Sequence, residues 1–155
     1  MKKLILRTLI TILAIQTLFF ASSLNVHAQE ETCPPPTPVN IDIKPADAVN
    51  KIKLSAKGLL PVAVLTTQDF DASNFTPEMA HLSDALIAIS CAGAAAVRWN
   101  YSDVNRDGQL DLVFFFRTQD LNLTPSSTAA TLMAHGTYNS IATHIVGTDS
   151  VLVKP

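Results

Sequence analysis

The chain has 155 residues, 48% of them hydrophobic, with 13 acidic and 11 basic side chains, nine prolines, five glycines and two cysteines. That length suits one domain that buries roughly two-thirds of its unfolded surface, so a multidomain scheme is unnecessary. A mildly acidic chain without basic runs argues against nucleic acid or an anionic membrane as its partner.

The first 28 residues read as a leader. Lys2, Lys3 and Arg7 form a positive start, residues 8–21 are uncharged and mostly apolar, and Val26-His27-Ala28 places small residues where a signal peptidase cuts. The apolar stretch is interrupted by Thr11, Gln16 and Thr17 and falls short of the roughly 20 residues a spanning helix needs. Residues 1–28 are therefore expected to be a signal peptide, cleaved after Ala28, and the protein to be secreted, extracellular or periplasmic, with no membrane attachment after cleavage. Removing Lys2, Lys3 and Arg7 leaves 8 basic against 13 acidic side chains, a net charge of −5. Export also exposes Cys33 and Cys91 to an oxidising compartment, where a Cys33–Cys91 disulfide is the default expectation. It would close a loop of about 59 residues and contribute at most about 4 kcal/mol.

Residues 29–38 include CPPPTP, which favours an extended linker over a helix or paired strand. From Val39 onward a period of two dominates. Val39, Ile41 and Ile43 alternate with Asn40, Asp42 and Lys44, and Ile52 and Leu54 alternate with Lys51 and Lys53. Residues 59–67 (LLPVAVLTT) read as a strand covered on both faces, and residues 68–78 have the composition of a turn. Further strands are expected at residues 86–91, 94–101, 110–118, 129–134 and 148–154. Residues 79–89 (MAHLSDALIAI) would also suit a short helix. Residues 39–155 are thus predicted to form an all-β domain, an antiparallel β-sandwich of about seven to nine strands with Greek-key or immunoglobulin-like connections.

The constellation with the most chemical content is Asp103-Val104-Asn105-Arg106-Asp107-Gly108-Gln109-Leu110-Asp111, a DxNxDGxxD string. Oxygen-bearing side chains at positions 1, 3 and 5, a glycine at 6 for the sharp turn, Gln109 at 7 and Asp111 at 9 match the hard-oxygen donors that calcium takes. Three carboxylates brought so close repel one another unless a cation lies between them. Calcium is accordingly the expected cofactor, held by Asp103, Asn105, Asp107, Gln109 and Asp111. Where an EF-hand carries a bidentate Glu, this chain has Phe114, and the residues that follow read as a strand. The loop is therefore of a β type, with an expected affinity of ~10⁻⁴ to 10⁻³ M, as in extracellular modules.

Several motifs in order, VNIDIKP (39–45), LPVAVLTTQDFDAS (60–73), AVRW (96–99), DVNRDGQLDLV (103–113), FRTQ (116–119) and GTDSVLV (147–153), resemble an uncharacterised β-sandwich module of secreted bacterial proteins. The loop itself resembles the calcium loops of dockerins, thrombospondin repeats and integrin-type propeller blades. Two features are read as departures from the module: Ala46 stands where a glycine usually follows the first KP, and the module is expected to stand alone rather than beside a catalytic domain. The resemblance implies an accessory or binding role and brings no ligand with it; the expected partner is an extracellular protein or glycan.

Other residues offer less. Arg98 and Phe115, if both face outward, would suit a cation–π or sugar-stacking platform. His81, His135 and His144 show no metal-ligand spacing along the chain, which favours solvent-facing or turn roles. Asp69 and Asp71 are conceivable acid/base carboxylates of a glycosidase, although a turn accounts for them more simply. With no GxSxG, HExxH or phosphate-binding loop, the chain is expected not to be an enzyme.

Overall fold

A computed structural model describes residues 35–85 and 93–155, all of which fall in one compact unit. They form an all-β fold of ten strands without an α-helix among the described residues: β1 (Thr37–Pro38), β2 (Ile41–Ile43), β3 (Lys51–Lys53), β4 (Leu59–Val64), β5 (Phe75–Asp84), β6 (Ala94–Ser102), β7 (Asp111–Arg117), β8 (Ala129–Tyr138), β9 (Ile141–Ser150) and β10 (Leu152–Lys154).

Eight strands make one curled sheet in the order β1-β9-β8-β5-β6-β7-β4-β2, and β3 pairs with β10 in a second, small sheet. Strands β4 to β7 form a Greek key. The hairpin-connected β5, β6 and β7 run antiparallel, and residues 65–74 carry the chain from β4, which lies beside β7, across to β5. The expectation of a purely antiparallel arrangement is modified at two places, because β1 runs parallel to β9 and β3 parallel to β10. Thr37 and Pro38, expected in the linker, are the residues of β1.

The curl brings the two halves of the large sheet face to face over one core. From one half come Leu60, Val62 and Val64 of β4 and Leu112, Phe114 and Phe116 of β7. From the other come Phe75 and Leu82 of β5, Leu132 and Ala134 of β8 and Ile145 of β9. Each of the larger side chains, fully buried, contributes about 1.5–3 kcal/mol. Ile52 and Val153, paired in the small sheet, join the same cluster.

Two seams hold the curl. At the first, the chain passes from β1, on the β9 edge, to β2, on the β4 edge. Val39 N–H donates to the Val146 carbonyl at 2.8 Å and Leu65 N–H to the Asn40 carbonyl at 2.9 Å. A carboxylate of Asp149 on β9 accepts from Ile43 N–H at 3.0 Å and from Asn50 Nδ2 at 2.8 Å. The second seam is looser. β5 pairs with β6 only at His81–Ala95 and Leu82–Ala94, after which the strands diverge. Tyr101 bridges the opening by donating its hydroxyl to the Phe75 carbonyl at 2.7 Å.

Sequence expectation and structure differ most at β5 and β9. Residues 68–78 were expected to be a turn and residues 79–89 to suit a helix, yet Phe75–Asp84 is one continuous strand with a bulge between Pro77 and Met79. The bulge reconciles Pro77 with a paired strand, since it interrupts the ladder where a donor is missing. The expected strand at 86–91 lies outside the described residues. The first seam also explains Gly147 of β9, where a Cβ would lie 2.4 Å from Ile41 Cγ2 and 2.8 Å from the Val39 carbonyl oxygen. Gly147→Ala is expected to cost about 1–3 kcal/mol by overpacking this crossing. Equilibrium urea denaturation measures it, with Gly58→Ala, where a Cβ meets nothing within 4 Å, as the neutral comparison.

Candidate functional site

Residues 103–110 leave β6 and enter β7 as a loop whose backbone curls around its own acidic side chains. Arg106 (φ 64°) and Gly108 (φ 86°) are both left-handed, a conformation that suits glycine and strains most other residues. Asp103 rewards the curl: one of its oxygens accepts Arg106 N–H at 2.6 Å and Asp107 N–H at 3.2 Å, and the other accepts Gly108 N–H at 3.0 Å. Asn105 Oδ1 also accepts Asp107 N–H, at 3.0 Å. Asp107 in turn accepts Gln109 N–H at 2.8 Å and Asn105 Nδ2 at 2.9 Å. These bonds, Gln109 N–H first, hold the Asp107 carboxyl below the usual carboxylate range. Its contribution to loop order is therefore complete above that range and is lost as pH falls through the lowered pKa.

Asp111 behaves differently. It is fully buried, with one oxygen accepting Thr66 N–H at 2.9 Å and the other Val104 N–H at 3.0 Å. Thr66 extends the network, donating its hydroxyl to the Leu110 carbonyl at 2.6 Å and accepting Ala72 N–H at 3.0 Å. The end of β4, the link to β5 and both ends of the acidic loop thus meet at one carboxylate. Asp103, Asn105, Asp107 and Gln109 are gathered in the loop, while Asp111 lies beneath them, turned into the fold.

The donors are of the class calcium takes: carboxylate and amide oxygens, with Asp107 anionic at neutral pH. Among the described residues no three His, Cys, Asp or Glu side chains already converge as metal ligands. Fit to an ion thus rests on the mixed oxygen set of Asp103, Asn105 and Asp107. The mutual repulsion expected of three carboxylates is relieved in this geometry by backbone N–H donors and by the separation of Asp111 from the other two.

The remaining sequence candidates are placed as follows. Arg98 lies over Phe115, its guanidinium carbon 3.6 Å from the ring centroid, on the outer face of β6 and β7. The same ring, with Pro45, Pro61 and Val113, lines a shallow groove. The exposed aromatic surface belongs instead to Trp99 and Tyr101, 43% and 38% exposed beside the opening between β5 and β6. Trp99 and Tyr101 share one face of β6, and the divergence of β5 leaves that face uncovered. Asp71 caps a short 3-10 turn, accepting from Ser73 N–H and hydroxyl and from Asn74 Nδ2. Cys33 and Cys91 lie outside the described residues, and so does their expected disulfide.

No family model, curated protein or solved structure matches the chain.

Asp111→Asn leaves the side chain one acceptor for two buried N–H groups and sets an amide NH₂ against the other. It is expected to cost about 1–3 kcal/mol in urea denaturation, with or without calcium. Asp107→Asn, at the solvent-facing turn, is expected to stay within about 0.5 kcal/mol in calcium-free buffer.

Proposed function

We propose that the protein is a secreted, non-catalytic β-sandwich module whose 103–111 loop binds calcium and serves in adhesion or protein contact outside the cell. The observation that supports this reading most directly is the acidic loop's curl, in which Asp103, Asn105 and Asp107 are already drawn together by left-handed Arg106 and Gly108. Calcium would be held by the side chains of Asp103, Asn105 and Asp107 and an oxygen of Gln109, with water in the remaining positions. Bound there, the ion supplies positive charge that ties the β6–β7 connection together. Asp111 acts from below, fixing Val104 and hence the entry to the loop. The likeness of the ordered motifs to a secreted bacterial module and the signal-peptide-like leader give the reading its compartment and accessory character.

Calcium at ten times its dissociation constant is expected to stabilise the fold by about 1.4 kcal/mol, read as a rise in unfolding temperature after chelator treatment. Asp107→Ala is expected to remove most of that rise and Arg106→Ala to preserve it. An unfolding temperature indifferent to millimolar calcium, or an equal loss in the two variants, defeats the proposal.

Carbohydrate recognition is the second reading, favoured by one observation: Trp99 is 43% exposed, next to Tyr101, on the uncovered side of β6. Aromatic rings presented in this way suit stacking against sugar faces. On a glycan array, Trp99→Ala is expected to abolish any signal that Phe115→Ala leaves intact, because Arg98 already occupies the Phe115 ring.

A further inference from the structure

Three histidines share the outer face of the sheet, two of them paired across β8 and β9 and the third on neighbouring β5. Strands β8 and β9 are joined by Asn139 (φ 48°) and Ser140 (φ 67°), a two-residue turn with both positions left-handed, which pairs Tyr138 with Ile141. Three residues back from Tyr138 and three beyond Ile141 are His135 and His144, so the turn places them directly opposite each other. Their ring centroids are 4.0 Å apart. Both point away from the core, since their neighbours Ala134 and Ile145 point into it. On the other side of β8, Met79 of β5 pairs with His135, and His81 lies two residues further along the same face. The Nδ1 atom of His81 is buried and has no hydrogen-bond partner.

We propose that His135 and His144 form a two-nitrogen chelate for a borderline divalent transition-metal ion such as Zn²⁺, Ni²⁺ or Cu²⁺, with His81 as the third donor. Imidazole nitrogen suits these ions and not calcium, so the site is chemically distinct from the acidic loop and does not depend on it. No three donors converge among the described residues. The third contact therefore comes from rotation of the His81 side chain on a rigid backbone, which gives its unpartnered nitrogen a ligand. The sheet supplies the preorganisation: three adjacent strands fix all three Cα positions, and metal binding costs only side-chain freedom. Metal competes with protons for imidazole, so the ligands must be neutral. Burial, followed by the neighbouring His144 and His81, lowers the His135 pKa, against a smaller opposing effect of Glu78.

Isothermal titration of the protein with ZnCl₂, in millimolar calcium to occupy the acidic loop, tests the proposal. One ion per chain is expected, with affinity reduced by at least about tenfold in His135→Gln and in His144→Gln. A smaller loss is expected in His81→Gln, and none in Asp107→Ala. Circular dichroism establishes that each variant is folded. Electron paramagnetic resonance of the unaltered protein with Cu²⁺ gives an independent reading, in which two or more nitrogen ligands are expected. Zinc affinity unchanged in both the His135 and His144 variants, no zinc binding up to millimolar concentration, or a copper spectrum with oxygen ligands alone overturns the proposal.

Discussion

The carboxylate of Asp111 is the point on which the acidic loop and the surrounding strands jointly depend. Burying an ionised group without compensation costs several kcal/mol, and this one is compensated by two backbone N–H groups from segments otherwise remote in sequence. Thr66 ends the run of β4, and Val104 opens the loop after β6. Their meeting at the first residue of β7 sets where β7 begins. Charge-assisted hydrogen bonds to a buried carboxylate are short and directional, so they fix position as well as contribute energy. Because the Thr66 hydroxyl also holds Leu110 and Ala72, the same anchor aligns the exit of the loop and the link that crosses to β5.

Asp149 does comparable work at the seam where β9 meets β2. It accepts Ile43 N–H and Asn50 Nδ2 where β9 meets β2, and Asn50 also donates to the Ser150 carbonyl at 2.8 Å. A curled sheet has to satisfy backbone groups where its ladder breaks, and here side-chain carboxylates do so in place of a neighbouring strand. The proximity of such groups has a cost. Asp42 on β2 is pushed above the usual carboxylate range by burial first and then by the negative charges of Asp149 and Asp111. Asp149 and Asp111 thus hold strands together, whereas Asp103 and Asp107 shape the solvent-facing loop. Net charge alone does not distinguish the two groups.

Much of the fold was legible because alternation reports one-sided burial. Ile41 and Ile43 and the Leu112, Phe114 and Phe116 row of β7 all face the core as their period implies. Strand β5 was not legible, since Pro77 and the bulge beside it break its period, and His81 and Ser83 stand where a helix reading is equally natural. Strand β9 was obscured by Gly147, whose role is steric clearance for β2 and carries no hydrophobic signal. At the loop, sequence spacing grouped Asp103, Asn105 and Asp107 in one turn but did not show the inward orientation of Asp111. Position 9 of a calcium-loop string and the first inward-accepting residue of a strand are the same Asp111, and only tertiary contact with Thr66 separates the roles. The histidine cluster was hidden for a different reason. Residues 135 and 144 become neighbours only once the Asn139-Ser140 turn fixes the register, a signal that the turn residues themselves carried.

Amide hydrogen exchange at Thr66 and Val104 tests the role of Asp111 most directly. Both N–H groups should rank with the core strands in protection, and Asp111→Asn should sharply reduce protection at one or both while leaving Leu132 of the β8 core protected. Exchange of Thr66 and Val104 in the unaltered protein at the rate of open loop amides would contradict the account.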